Sequence, residues 1–247
     1  MLLEDLEPGE HRVGEAVITI RDDPPFTIAE VNAPSGSQSL KIRLPHGGKL
    51  RLYPILPVHT PERITDHLLF KTREPLALPP ESEAAVSLRL SVEVGMAIVG
   101  RKGEFQGYVA FFSPRILKYA LYGQPTEGRI VRLIDTPVLP PDDHVPPPGE
   151  LEAGLRARVV NDTGHPVNLA RILVDSDYFI LYTDSYGSLL TNDLTITVTS
   201  DRTAVVTVSR KPPLPGLKSL PQTRYQRLNI IQGLGLQEAK VMMTHGY

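Results

Sequence analysis

The chain of 247 residues has no cysteine and no tryptophan. The first absence excludes disulfides, thiolate metal sites and a cysteine nucleophile. Tyrosine and phenylalanine together make up only 6%, which argues against a carbohydrate site built from stacked rings. Charge of one sign is also missing: 26 basic and 28 acidic residues leave a net of −2. A general nucleic-acid binder carries a basic domain or stripe, so nucleic acid is not an expected partner. The longest apolar runs, residues 95–100 and 108–112, fall far short of the roughly 18–20 residues of a membrane-spanning helix. The opening Met1-Leu-Leu-Glu-Asp-Leu-Glu-Pro-Gly-Glu10 has neither the basic nor the apolar region of a secretory signal. A cytoplasmic protein without a membrane span is the expectation.

Chemical motifs are equally scarce. There is no phosphate-cradling Gly-x-x-x-x-Gly-Lys loop, no Gly-x-Ser-x-Gly elbow and no His-Glu-x-x-His pair. Gly233-Leu-Gly235 is only a fragment of a dinucleotide fingerprint. No cofactor is expected.

What is present is an ordinary globular balance, 41% apolar and 22% charged, punctuated by 24 prolines and 19 glycines. Between the breaks, apolar and polar residues alternate. Val86, Leu88, Leu90, Val92 and Val94 fall on one side of a strand, and Ser87, Arg89, Ser91 and Glu93 on the other. Successive strand side chains point to opposite faces, so this run predicts one buried and one wet face. Residues 40–44 and 50–52 repeat the pattern around Pro45-His-Gly-Gly48, which reads as a hairpin turn. Residues 155–160 and 167–174 read as partners across Asn161-Asp-Thr-Gly164, and residues 194–199 and 204–208 across Ser200-Asp-Arg-Thr203. Residues 116–122 read as a strand entering a second hairpin at 123–128. No helix longer than two turns is expected. Short strands with turn signals every 8–12 residues point to antiparallel sandwiches or barrels.

Residues 136–149 hold six prolines. Proline fixes φ and lacks the ladder donor, so this stretch cannot be a helix or a central strand. It reads as a semi-rigid spacer. The expected architecture is therefore all-β, with two antiparallel sandwich-like domains in tandem: residues 1–140, a Pro-rich linker at 141–150, and residues 151–247 with a tail. The ends carry opposite charge. Residues 1–30 hold eight carboxylates against Arg12 and Arg21, and residues 211–247 hold five cations against Glu238. The apolar tail stretches 228–231 and 239–243 read as strands that need a partner edge, in this chain or in another.

Two groups of residues are candidates for chemistry. His59, Glu62, Asp66 and His67 place imidazoles and carboxylates within nine residues, a ligand set suited to a divalent metal. The competing reading is an exposed polar loop. Arg115, Lys118, Tyr119 and Tyr122 follow the aromatic stretch Phe105-Gln-Gly-Tyr-Val-Ala-Phe-Phe112. Cations beside rings suit a ligand or a stacking surface; the competing reading is a core strand followed by tyrosines that bury the ring and keep the hydroxyl wet.

Pro79-Pro-Glu-Ser82, Lys118-Tyr-Ala-Leu-Tyr-Gly123, Gly128-Arg-Ile-Val131 and Val160-Asn-Asp-Thr163 together resemble an uncharacterised archaeal protein family, a domain of unknown function. The resemblance covers most of the chain. It implies an archaeal source and carries over no catalytic or binding residue. The expected function, reached by elimination, is a non-enzymatic protein-interaction or scaffolding module acting on a protein partner or as a homodimer. The alternative is a small-ligand-binding protein or metal-dependent hydrolase with its site at the domain junction.

Overall fold

The alternating runs become strands almost throughout the structure, a computed structural model that describes residues 2–60, 63–200, 203–222 and 239–242. The first part of the chain forms β1 (Asp5–Leu6), β2 (Gly9–Val13), β3 (Ala16–Asp23), β4 (Phe26–Ala33), β5 (Gly36–Ile42) and β6 (Lys49–Ile55). Then come β7 (His67–Leu78), β8 (Ser82–Ser91), β9 (Glu93–Val99), β10 (Phe105–Phe112), β11 (Lys118–Tyr122) and β12 (Arg129–Thr136). The remainder holds β13 (Glu152–Asn161), β14 (Val167–Asp175), β15 (Leu181–Thr183), β16 (Leu189–Thr191), β17 (Leu194–Ser200), β18 (Thr203–Val208), β19 (Lys218–Ser219) and β20 (Ala239–Met242). Helix among the described residues is confined to two 3₁₀ turns, Pro141–His144 and Ser176–Tyr178. None is long and apolar enough to cross a membrane.

The strands build four sheets. β2 to β5 form a consecutive antiparallel meander, and β1, β6, β9 and β10 a second antiparallel sheet. The third sheet has the order β11-β12-β7-β14, antiparallel except for the parallel pair β12–β7. The fourth runs β19-β15-β16-β13-β17-β18-β20, with β8 along the opposite edge of β13. The inward faces of all four merge into one continuous core, from Ile18 and Val31 through Met96, Phe112 and Phe70 to Leu155 and Val198. A small satellite cluster of Leu69, Val131 and Leu173 lies on the other face of the third sheet.

The fold is all-β as the alternation predicts, but its sheets do not divide at the Pro-rich segment. β8 pairs with β13 over its whole length, from Ser82↔Asn161 to Ser91↔Glu152. β7 pairs with β14 in the third sheet. Strands from both sides of residues 141–150 therefore share two sheets. Two expected hairpins are replaced for a related reason. Pro45–Gly48 does turn, with the Gly48 amide donating to the Pro45 carbonyl at 2.8 Å, but β5 and β6 belong to different sheets. β13 and β14 likewise lie in different sheets, so residues 162–166 form a corner between layers. Local alternation specifies which face is apolar; it does not specify which strand is the neighbour. The β17–β18 and β11–β12 hairpins form as read, and β20 finds its edge on β18. Residues 228–231 lie outside the described residues.

Asn161, fully buried, ties the corner together. Its Nδ2 donates to the carbonyls of Pro79 (2.7 Å) and His165 (2.9 Å), and its Oδ1 accepts from Thr163 N (3.1 Å) and Thr163 Oγ1 (2.6 Å). This joins the 79–81 turn to the 162–166 corner. Asn161→Ala leaves several buried backbone groups without partners, at about 1–3 kcal/mol each in the worst case. A loss of about 3 kcal/mol in urea unfolding is expected; a loss within about 0.5 kcal/mol, the size of a surface change, would show that water replaces the side chain.

The Pro-rich segment is docked, where the sequence suggests a spacer. Ser87 and Leu139 exchange backbone hydrogen bonds at 2.9 Å in both directions, the Arg89 amide donates to Thr136 Oγ1 at 2.8 Å, and the Arg89 guanidinium donates to the Asp143 (2.6 Å) and His144 (3.3 Å) carbonyls. The segment thereby covers the free edge of β8, which a chain rich in proline can do because it needs few ladder donors of its own.

Candidate functional site

Two apolar runs each carry one charge in their midst. Glu93 opens β9 within Val92-Glu-Val-Gly-Met-Ala-Ile-Val99, and Arg132 lies in β12 within Ile130-Val-Arg-Leu-Ile134. Alternation assigns Glu93 to the wet face of its run. The structure buries it completely, at 0% exposure, with Arg132 at 1%. Both faces of β9 are covered, one by the main core and the other by residues 56–60 and the rings of Tyr53, Tyr108 and Phe111.

The two charges meet where the second and third sheets join. Arg132 Nη2 lies 3.1 Å from Glu93 Oε1. The same guanidinium donates through Nε to the Pro57 carbonyl (2.6 Å) and through Nη2 to the Thr60 carbonyl (2.5 Å) and Tyr119 Oη (3.0 Å). Glu93 Oε2 accepts from the His59 amide at 2.8 Å, and Oε1 accepts from Thr60 Oγ1 at 2.6 Å and the Thr60 amide at 3.3 Å. Tyr119 donates its hydroxyl to the Thr60 carbonyl at 2.9 Å, and its ring lies 4.0 Å below the guanidinium carbon. Tyr119 stands directly opposite Arg132 in the β11–β12 ladder, which is why the two stack. Burial pushes the Tyr119 phenol up, and Glu93 adds to this against the opposing pull of Arg132.

Taking two charges out of water is costly and is recovered only where hydrogen bonds use the remaining lone pairs and protons. Here they are used: the carboxylate accepts from four donors, and the guanidinium serves two carbonyls and a hydroxyl besides. Chemically this is a lock that fixes residues 57–60 against two sheets.

The residues singled out from the sequence are dispersed around it. His59 is buried, with Nδ1 donating to the Leu56 carbonyl at 2.9 Å and its ring stacked on Phe111 at 4.9 Å. Asp66 is paired with Arg63 at 2.5 Å, and Arg63 reaches on to Asp177 at 2.6 Å. His67 Nε2 accepts from Arg129 Nη1 at 3.0 Å. Glu62 lies outside the described residues. Among the described residues no three of His, Asp and Glu are arranged to hold a metal ion. In the second group, Tyr119 alone enters the lock. Lys118 and Tyr122 alternate with it and take the opposite face of β11, where Tyr122 packs on the satellite cluster. Arg115 pairs with Glu152 of β13 at 2.8 Å. The aromatic stretch is a packed ladder: Phe105, Tyr53, Tyr108 and Phe111 meet edge-on or tilted at 4.9–6.3 Å. Tyr108 lies over Gly95, where a Cβ would come within 2.5 Å of its ring, and donates to the Pro221 carbonyl at 2.8 Å. Burial raises its pKa.

Glu93 and Arg132, the centre of the arrangement, are absent from the sequence-derived candidates. The available signal was a single charge, of opposite sign, in each of two short apolar runs, 92–99 and 130–134.

A family model described as a protein of unknown function, DUF432, matches residues 4–243. The chain belongs to that family. The match spans the Pro-rich segment and all four sheets, so the DUF432 unit is the whole fold described above. No curated protein and no solved structure matches the chain.

Proposed function

We propose that the protein is a non-enzymatic protein-interaction module and that the β11–β12 hairpin is its contact element. The observation that carries this reading is an exposed apolar pair. Leu121 and Ile130 face each other across the ladder and are 52% and 48% exposed, and Ile116, just before the hairpin, is 74% exposed. Tyr119 and Arg132, next to this pair on the same face of the hairpin, are engaged in the Glu93–Arg132 lock, so the hairpin is firmly based. A rigid base under exposed apolar side chains is what a recognition surface needs, because less freedom is lost on binding. Work in the cytoplasm of an archaeal cell is part of the same proposal; it is supported by the sequence resemblance given above.

The test uses a photo-crosslinking amino acid in place of Leu121, with the same substitution at exposed Glu74 as control. A discrete adduct from position 121, absent from position 74 and lost in Ile130→Asp, supports the reading. No adduct, or equal adducts at both positions, overturns it. A band at twice the chain's mass identifies the partner as a second copy.

A further inference from the structure

β11 is the last strand of the third sheet. Among the described residues it pairs only with β12, so its other edge turns backbone donors and acceptors outward. Such an edge is a template for a further strand, and folded chains usually blunt it with bulges, prolines, charges or a covering segment. Several edges here are blunted in these ways. β10 and β14 carry register shifts, β2 presents Glu10, His11 and Arg12, and the free edge of β8 lies under the Pro-rich segment. β11 is different. Its five residues, Lys118-Tyr-Ala-Leu-Tyr122, pair with β12 in unbroken register, hold no proline and carry a single charge at the first position.

We propose that β11 pairs antiparallel with β11 of a second copy, about a two-fold axis at Ala120, so that the third sheets of two chains become one. This rests on the interaction reading above and names its partner.

The strand is complementary to itself in this register. Ala120 is its middle residue, so all five residues pair, and a two-fold axis through the sheet keeps each face continuous from one copy to the next. Residues equally far from Ala120 on either side then stand opposite each other. On one face, Leu121 meets the partner's Tyr119. That adds a ring to the exposed row of Leu121 and Ile130, and an aromatic beside an aliphatic side chain is a favourable cross-strand pair. On the other face, Lys118 meets the partner's Tyr122, a cation beside a ring. A parallel, in-register pairing would instead set the two lysines directly opposite, where like charges are unfavourable. Tyr119 is already held by the Thr60 carbonyl and Arg132, and Tyr122 packs on the satellite cluster, so little side-chain freedom is lost when the strands join. Ile116, 74% exposed, precedes the strand by two residues and falls against the partner's 123–128 turn. The contact is short, so a reversible dimer is expected rather than an obligate one.

The chain has no cysteine, so a single introduced thiol reports on one position. Directly opposite Cβ atoms in an antiparallel pair lie about 4.5–5.5 Å apart, close enough for a disulfide. In the full chain, Ala120→Cys is expected to oxidise to a covalent dimer roughly tenfold or more faster than Glu74→Cys at equal concentration, because the paired thiols are held together and do not have to meet by diffusion. Glu74 is exposed on β7, away from the β11 edge. Leu121→Cys is slower than Ala120→Cys, since the register sets its own copy on the diagonal, about 7–8 Å away. Adding Leu121→Asp to Ala120→Cys returns the rate to that of Glu74→Cys. Equal rates for Ala120→Cys and Glu74→Cys, or no slowing by Leu121→Asp, overturn the pairing. A second measurement needs no variant: by light scattering the mass of the native chain climbs toward twice that of one copy as concentration is raised, and the mass of one copy throughout overturns the proposal. The two readings fail separately. A photo-adduct from position 121 at a mass other than twice the chain's keeps the interaction reading and overturns the second copy.

Discussion

Glu93→Ala is expected to destabilise the protein by about 3–5 kcal/mol, the cost of leaving one partner of a buried ion pair without the other. The reason is specific to this site. Arg132 keeps the Pro57 and Thr60 carbonyls and the Tyr119 hydroxyl, but its charge has no counter-charge and no path to water. The His59 and Thr60 amides and Thr60 Oγ1 lose their acceptor at the same time. For a chain of this length each kcal/mol is worth roughly 2–4 °C of Tm, so the melting temperature drops by about 10 °C. Glu93→Gln, which retains the shape and one acceptor oxygen, loses less. The double replacement Glu93→Leu with Arg132→Met removes both charges and recovers most of the loss, since a buried pair is often no more stable than apolar residues of similar size. The decisive quantity is the coupling in that double-mutant cycle. Coupling near zero, with Glu93→Ala costing less than about 1 kcal/mol, means water reaches the pair and the lock does not exist.

The second large effect is expected at Gly154, in β13. A Cβ there would lie 1.6 Å from the carbonyl oxygen of His144 and 3.0 Å from the Pro146 ring. The atom it meets is backbone, which cannot rotate aside. Gly154→Ala therefore displaces the Pro-rich segment and with it the Arg89 contacts to Asp143 and His144. The expected cost is about 3 kcal/mol, the upper end for overpacking. It has a local signature too: residues 137–147 become cleavable by protease in the folded state, because a segment lifted from its edge fits a protease cleft. Gly164→Ala serves as the comparison, since nothing lies within 4 Å of a Cβ at that position and its backbone is not left-handed. If both variants keep the segment protected, the close packing over β13 is not what holds it.

These two sites mark where the sequence stops being readable. Period-2 alternation identifies strands and their apolar faces because the geometry of a strand is local. Val86, Leu88, Leu90, Val92 and Val94 are all buried as that rule requires. Tight turns are legible for the same reason: the 200–203 and 123–128 connections join strands that are neighbours in space. Pairing between distant strands has no local signature. β13 chooses β8 and β14 chooses β7 because together they close one apolar core, and this choice turns the apparent β13–β14 hairpin into a corner between layers, as the pairing of β6 with β1 and β9 does for the β5–β6 turn. Proline content likewise predicts what residues 136–149 cannot be, and leaves open what they lie against.

The candidate site divides along the same line. Tyr119 was visible as an aromatic beside cations, but its role depends on the strand register that sets it opposite Arg132. His59 and His67 were visible as nearby imidazoles. Chain proximity did not make them partners: one is buried on Phe111 beside Glu93, and the other faces Arg129 on the outer face of the third sheet. Glu93 was placed on a wet face because alternation describes one strand with one covered side, whereas β9 is covered on both. The sequence by itself determined the strands, their apolar faces, the tight turns and the absence of thiol chemistry, all of which follow from residue types and spacings along a short stretch of chain. Only the tertiary structure decided that one glutamate and one arginine, 39 residues apart, would leave water together, because burial of a charge is settled by what packs over it from elsewhere in the chain.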